Sequence, residues 1–145
     1  AWTSMAPLVA AVSNAGGLGV LGSGFMPTDV ITEQIGVIRK MTDKPFAANM
    51  FLDRGEQLEV SCNAIIKEKV PVAYVDTLNL LEYDFAKEYY DKLHAAGCKG
   101  VAKINCLQAA EIAEKAGADV LIAQGVDGGG HCARISSVVL WAETF

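Results

Sequence analysis

A chain of 145 residues, 52% hydrophobic and 20% charged, is long enough to bury a core as one domain over residues 1–145 and too apolar for a disordered segment. Its net charge of −5 and pI near 4.9 argue against nucleic acid or an anionic membrane as a partner. The first basic residue is Arg39, no run reaches the roughly 18 apolar residues of a spanning helix, and Cys62, Cys98, Cys106 and Cys132 form no C-x-x-C pair, so the expectation is a cytoplasmic protein with reduced thiols and no metal site.

In chain order, the opening apolar segment reads as a helix that ends at "NAGG", with Gly16 as its stop. A short strand near Gly19 follows. Val30, Ile31, Gln34, Ile35 and Ile38 then give one face of a helix, with Thr28 as its expected N-cap. Proline opens the next strand, "PFAANMFL", and the pattern recurs: a helix faced by Leu58, Cys62, Ile65 and Ile66, then "PVAYVDT" from Pro71. A helix faced by Phe85, Tyr89 and Leu93 stops at Gly97 before a strand near Val101. Another, faced by Leu107, Ala110, Ile112 and Ala113 with Asn105 as its expected cap, stops at Gly117 before the strand at Val120. The strands show little polar alternation, as parallel strands covered on both faces do. Strands alternating with helices at this spacing predict an α/β fold with right-handed crossovers, either an open doubly wound sheet or part of a (β/α)8 barrel. The turn "GSGFMPTD" matches neither G-x-G-x-x-G nor a P-loop, which weakens the dinucleotide-binding version.

Ligands of both architectures sit at the carboxyl ends of the strands. Asn49, Asp76, Thr77, Lys103, Asn105 and Gln124 fall there. Each has an ordinary explanation: a turn former for Asn49, a helix cap for Asp76, a side chain that reaches solvent for Lys103. His94 lies near a helix C-terminus, where the dipole suits it. His131 differs, because three consecutive glycines bring it to the ligand-binding edge. Histidine is also the side chain suited to moving a proton near neutral pH.

"AVSNAGGLGVLGSG", "DKPFAANMFL" and "KAGADVLIAQGVDGGGH", in this order, resemble the flavin-dependent nitronate monooxygenase family, formerly 2-nitropropane dioxygenases, which also includes the flavin type of enoyl-acyl carrier protein reductase. The resemblance covers nearly the whole chain and is weakest from Asp53 to Lys99. It implies a partial (β/α)8 TIM barrel, about strands two to six, with strand one upstream of Ala1 and strands seven and eight beyond Phe145. It implies FMN at the carboxyl edge, with Asn49, Gln124 and Gly129 in contact with the flavin and His131 as the catalytic residue that assists deprotonation or orientation of a nitro compound. "AWTSM" resembles the loop after barrel strand one. Cys132 and Ala133 depart from the family pattern just after the histidine, and a spare thiol is the simpler reading of Cys132.

The expected activity is therefore oxidation of alkyl nitronates or nitroalkanes by oxygen with FMN. The enoyl reductase branch is the alternative; its members tend to carry glutamate at the place of Gln124 and a Gly-Ala-Gly motif where this chain has "VDTLNLL". A third reading, of a different class, is a non-catalytic segment that pairs with another copy in a homo-oligomer, or with a partner chain, because an open segment of barrel exposes strand edges.

Overall fold

The structure, a computed structural model, describes residues 3–77 and 81–145. The elements run α1 (Ala6–Asn14), β1 (Gly19–Leu21), α2 (Thr28–Met41), β2 (Phe46–Phe51), α3 (Glu56–Lys67), β3 (Val72–Asp76), α4 (Tyr83–Ala95), β4 (Lys99–Ile104), α5 (Leu107–Ala116), β5 (Val120–Ala123) and α6 (Ser137–Thr144). The strands form one parallel sheet in the order β1-β2-β3-β4-β5. That order separates the two architectures: a doubly wound sheet reverses its strand order at a switch point, whereas a barrel adds each strand beside the last. The sheet never reverses, and α1 packs on α2, α2 on α3, α4 on α5 and α5 on α6. The fold is α/β in the arrangement of a partial TIM barrel.

The three glycine stops fall where the sequence placed them, with φ of +91° at Gly16, +76° at Gly97 and +107° at Gly117. The two expected caps do not hold. Thr28 is already inside α2, because Pro27, with φ −61° and ψ 153°, supplies the extended entry, and Asp29 complements the dipole in the first turn. Cys106, not Asn105, occupies the cap position of α5, and no side chain bonds there. Leu107, expected on the buried face of α5, is exposed.

Period-two alternation divides the sheet into two unlike faces. Leu21, Ala48, Met50, Ala73, Val75, Ala102 and Ile104 point to the helices and are buried among Ile31, Ile35, Ile65 and Leu93. The intervening positions carry Asn49 and Phe51 on β2, Tyr74 and Asp76 on β3, and Lys103 on β4. Register sets Asn49 beside Tyr74, Phe51 beside Asp76, and Asp76 beside Lys103. The sheet thus presents a polar corner at its carboxyl edge. Among the described residues, no helix is long and apolar enough to cross a membrane.

Candidate active site

At that corner lies a cleft of about 490 Å³ that meets Asn49, Gln124, Gly129 and His131, the four residues the sequence singled out as site residues. The volume is in the range of small-molecule sites. Val20, Phe25, Phe51 and Tyr74 add apolar and aromatic surface, and Asp76 and Lys103 a charged one. The Phe51 ring stands 4.5 Å from Phe25 and 6.2 Å from the His131 imidazole, the second contact edge-on at 72°. Burial holds the phenol of Tyr74 protonated, with its pKa pushed up to about 12 by desolvation and by the neighbouring Asp76.

The Asn49 carboxamide donates through Nδ2 to the Tyr74 carbonyl at 3.3 Å, and the backbone carbonyl of Asn49 accepts from the Ser23 hydroxyl at 2.7 Å. Gly24 makes this possible. A Cβ there would stand 2.3 Å from the Phe51 ring and 2.6 Å from Asn49 Oδ1.

The glycine-rich segment after β5 is tied at both ends. Gly125 N–H donates to Ser137 Oγ at 2.9 Å, Ser137 N–H donates to Asp127 Oδ1 at 2.8 Å, and Val126 N–H donates to the Ile135 carbonyl at 2.8 Å. Asp127 thus serves α6 as a cap from ten positions away, which draws its pKa below the ordinary carboxylate value. Gly125 has to be glycine here, since a Cβ would lie 2.1 Å from the Ser137 nitrogen. Within the loop, Gln124 Nε2 donates to the carbonyls of Gly129, at 2.7 Å, and His131, at 3.1 Å. Its acceptor, Oε1, is the part of the amide these bonds leave for a ligand. Gly129 and Gly130 have open space where side chains would be, and Gly130 turns at φ +74°. His131 and Cys132 are exposed, whereas Ala133 is buried.

Lys103 corrects the sequence reading. It does not reach solvent: its side chain is 5% exposed and forms an ion pair with Asp76 at 3.1 Å, itself 10% exposed. Its ammonium also donates to the His131 carbonyl. Asp76 does not cap the next helix, which begins after Glu82. Desolvation raises the Asp76 pKa, and the ammonium beside it, its hydrogen bond from Lys103, the nearby His131 and the Thr77 N–H hold that rise back. Thr77, Asn105 and Cys132 border a small neighbouring hollow with the same ion pair, and His94 lies at the opposite end of the sheet. No local pattern marks the pair, since Asp76 and Lys103 meet only through the β3–β4 register. "AWTSM" in its first two residues and "VDTLNLL" in residues 78–80 lie outside the described residues.

The cleft suits a flat ring with polar edges. Apolar walls stand at Val20 and the two phenylalanines, amides at Asn49 and Gln124, and glycine backbone at positions 22, 129 and 130. Among the described lining residues Lys103 is the one Lys or Arg, and Asp76 neutralises it.

The family model for nitronate monooxygenase matches residues 1–141. The chain is 33% identical over 146 residues to the (3aS,4S,5R,7aS)-5-hydroxy-7a-methyl-1-oxo-octahydro-1H-indene-4-carboxyl-CoA dehydrogenase of Mycobacterium tuberculosis, an alignment covering 96% of this chain and 37% of that protein. Among solved structures, FabK from Thermotoga maritima superposes with a TM-score of 0.88 at 35% identity, over 99% of this chain and 44% of that one. The nitroalkane oxidase of Streptomyces ansochromogenes superposes with a TM-score of 0.84 at 25% identity, over 97% of this chain and 51% of that one. The chain spans about two fifths of the length of the curated relative and about half of each solved one.

Proposed function

This chain belongs to the nitronate monooxygenase family, and from that premise we propose that residues 1–145 form one flavin-binding unit whose site serves the oxidation of alkyl nitronates by oxygen. The observation that supports this reading is the convergence of Asn49, Gln124, Gly129 and His131 on one cleft. When bound at Asn49, Gln124 and Gly129, FMN would supply the redox centre through which a nitronate is oxidised with oxygen as co-substrate.

The chain's own residues do the rest. Asn49 and Gln124 hold the polar edge of the ring, and Gly24 keeps Phe51 and the Asn49 amide upright beside it. Gly129 and Gly130 let backbone approach without a side chain between. Phe25 and Phe51 keep water from one side of the cleft. His131, braced edge-on by Phe51, takes the proton from the carbon next to the nitro group when a neutral nitroalkane is offered. A nitronate has already lost that proton and needs no base.

The residues fit the ring better than the phosphate, because the one lining lysine is already neutralised by Asp76. Riboflavin and FMN should therefore bind this chain within about threefold of each other, ring contacts carrying the affinity, whereas an added phosphate cradle is worth more than tenfold at about 1.4 kcal/mol.

A second reading, reduction or oxidation of an acyl thioester, is favoured by the 33% identity to a carboxyl-CoA dehydrogenase. Anaerobic mixing of the flavin-loaded chain separates the two. Bleaching of the flavin's visible band by an alkyl nitronate supports the first reading. Bleaching by NADPH with oxidation by an enoyl thioester, and none by nitronate, replaces it with the second.

A further inference from the structure

The geometry points to Asp76 as a positioning residue for His131, acting through Lys103. This rests on the reading of His131 as the proton-handling group, and it concerns how that residue is kept over the cleft. Asp76 ends β3, Lys103 stands next to last in the adjacent β4, and the two are register partners, so their backbones are fixed by the sheet. An ammonium has three N–H donors. One of Lys103 goes to Asp76 Oδ2 at 3.1 Å, and another goes to the backbone carbonyl of His131, 28 positions further along the chain. The same carbonyl accepts from Gln124 Nε2 at 3.1 Å. The catalytic-loop carbonyl is therefore held from two strands while the imidazole is left to Phe51 and the cleft.

Asp76 is needed because a buried ammonium without a counter-charge either turns to water or loses its proton, and in both cases ceases to hold the carbonyl. The carboxylate is itself held by the Thr77 N–H, so it fixes where the ammonium points. The hydrogen bond from Lys103 reaches the backbone carbonyl of His131, and Asp76 also acts on His131 through its charge. The proposed clamp is the part of that effect that passes through the loop backbone.

Hydrogen exchange of the flavin-free full chain, followed by mass spectrometry, reads this clamp without any activity. The variants are Asp76→Asn, Lys103→Met, Lys103→Arg and the double variant Asp76→Leu with Lys103→Met, which removes both charges together. In the double variant, which removes both charges together and keeps most of the stability, amides from Val126 to Ala133 should exchange about tenfold faster, with those of β2 and α5 unchanged; in Lys103→Met the same loop amides should gain about as much beyond the general rise that its lost stability brings to β2 and α5. Lys103→Arg, which keeps a charge and donors, should restore most of the protection. Should Lys103→Met fail to fold, the double variant and Asp76→Asn, which keeps volume, carry the same readout. Unchanged loop exchange in the double variant overturns the proposal. So does a rise spread equally over β2, α5 and the loop, which marks a merely structural pair. Because no flavin is present, the clamp can fail while the flavin reading stands, and the reverse.

Discussion

The two ends of the sheet carry the same three residue types in different surroundings. At the amino edge, Asp119 accepts from Lys99 at 2.8 Å, His94 at 2.9 Å and the Gly100 N–H at 2.8 Å, and Lys99 is 70% exposed. At the carboxyl edge, Asp76 meets Lys103 and the loop of His131, with both charges out of water. Burial, the largest single influence, pushes the Asp119 carboxyl up, but Lys99, the Gly100 N–H and His94 together outweigh it and bring its pKa to about 2. In Asp76 the same contest ends the other way, and desolvation wins. The amino-edge cluster behaves as a fastening between a helix end and two strands. The carboxyl-edge cluster is out of water and lines the cleft beside the His131 loop, and a shifted carboxylate in a cleft is a pattern that functional sites share.

The largest effect should come from breaking the buried pair one-sidedly. Lys103→Met leaves a buried carboxylate without its cation and should lose about 3–5 kcal/mol in urea unfolding, whereas adding Asp76→Leu should recover most of it. Equal losses in the single and double variants would mean that the pair is not electrostatically coupled. On activity, His131→Ala should lower turnover of a neutral nitroalkane by about 10²–10⁴-fold, and that of the corresponding nitronate by far less. Parallel losses on both substrates would reduce His131 to a binding contact. At the amino edge, Asp119→Asn should cost less than Lys103→Met, since two of its partners, Lys99 and His94, are exposed.

The pH dependence gives a smaller but signed contrast. Asp119 has a lowered folded pKa, so its stabilisation is complete above its ordinary value of 3.8 and is lost as pH falls towards about 2. The stability difference between the parent and Asp119→Asn should close over that window. Asp76, with its pKa raised, runs oppositely: in the window above 3.8 the folded state holds more protons, so its contribution to stability weakens as pH rises. Substituting Asp76 should therefore flatten a slope of the reverse sign.

Much of this was legible in the sequence, and the reasons differ by element. Glycine stops at positions 16, 97 and 117 are local, and left-handed backbone is what they supply. The alternation of strands and helices puts Asn49 and Gln124 at strand ends and His131 in the glycine loop beyond the last strand, whereas Gly129 and the roles of all four come from the family resemblance. Lys103 was misread because burial of a lysine depends on a partner 27 positions away in sequence and on a loop that folds over it. Asp127 and Ser137 carry no local signal for the same reason: the bonds from Ser137 N–H to Asp127 and from Gly125 N–H to the Ser137 hydroxyl need α6 beside β5. Local chemistry can be read from neighbours in sequence, and cross-strand chemistry needs the register.

The carboxyl-edge cleft is proposed to hold a flavin ring between Phe51, Asn49 and the loop of His131. A titration of FMN into the full chain, followed by the shift of the flavin's visible band, tests it most directly when run beside Gly24→Ala and Lys99→Ala. Binding should be saturable, weakened at least about tenfold by Gly24→Ala, whose Cβ displaces Phe51 and Asn49, and unchanged by Lys99→Ala. Binding indifferent to Gly24→Ala, or no saturable shift at all, would contradict it.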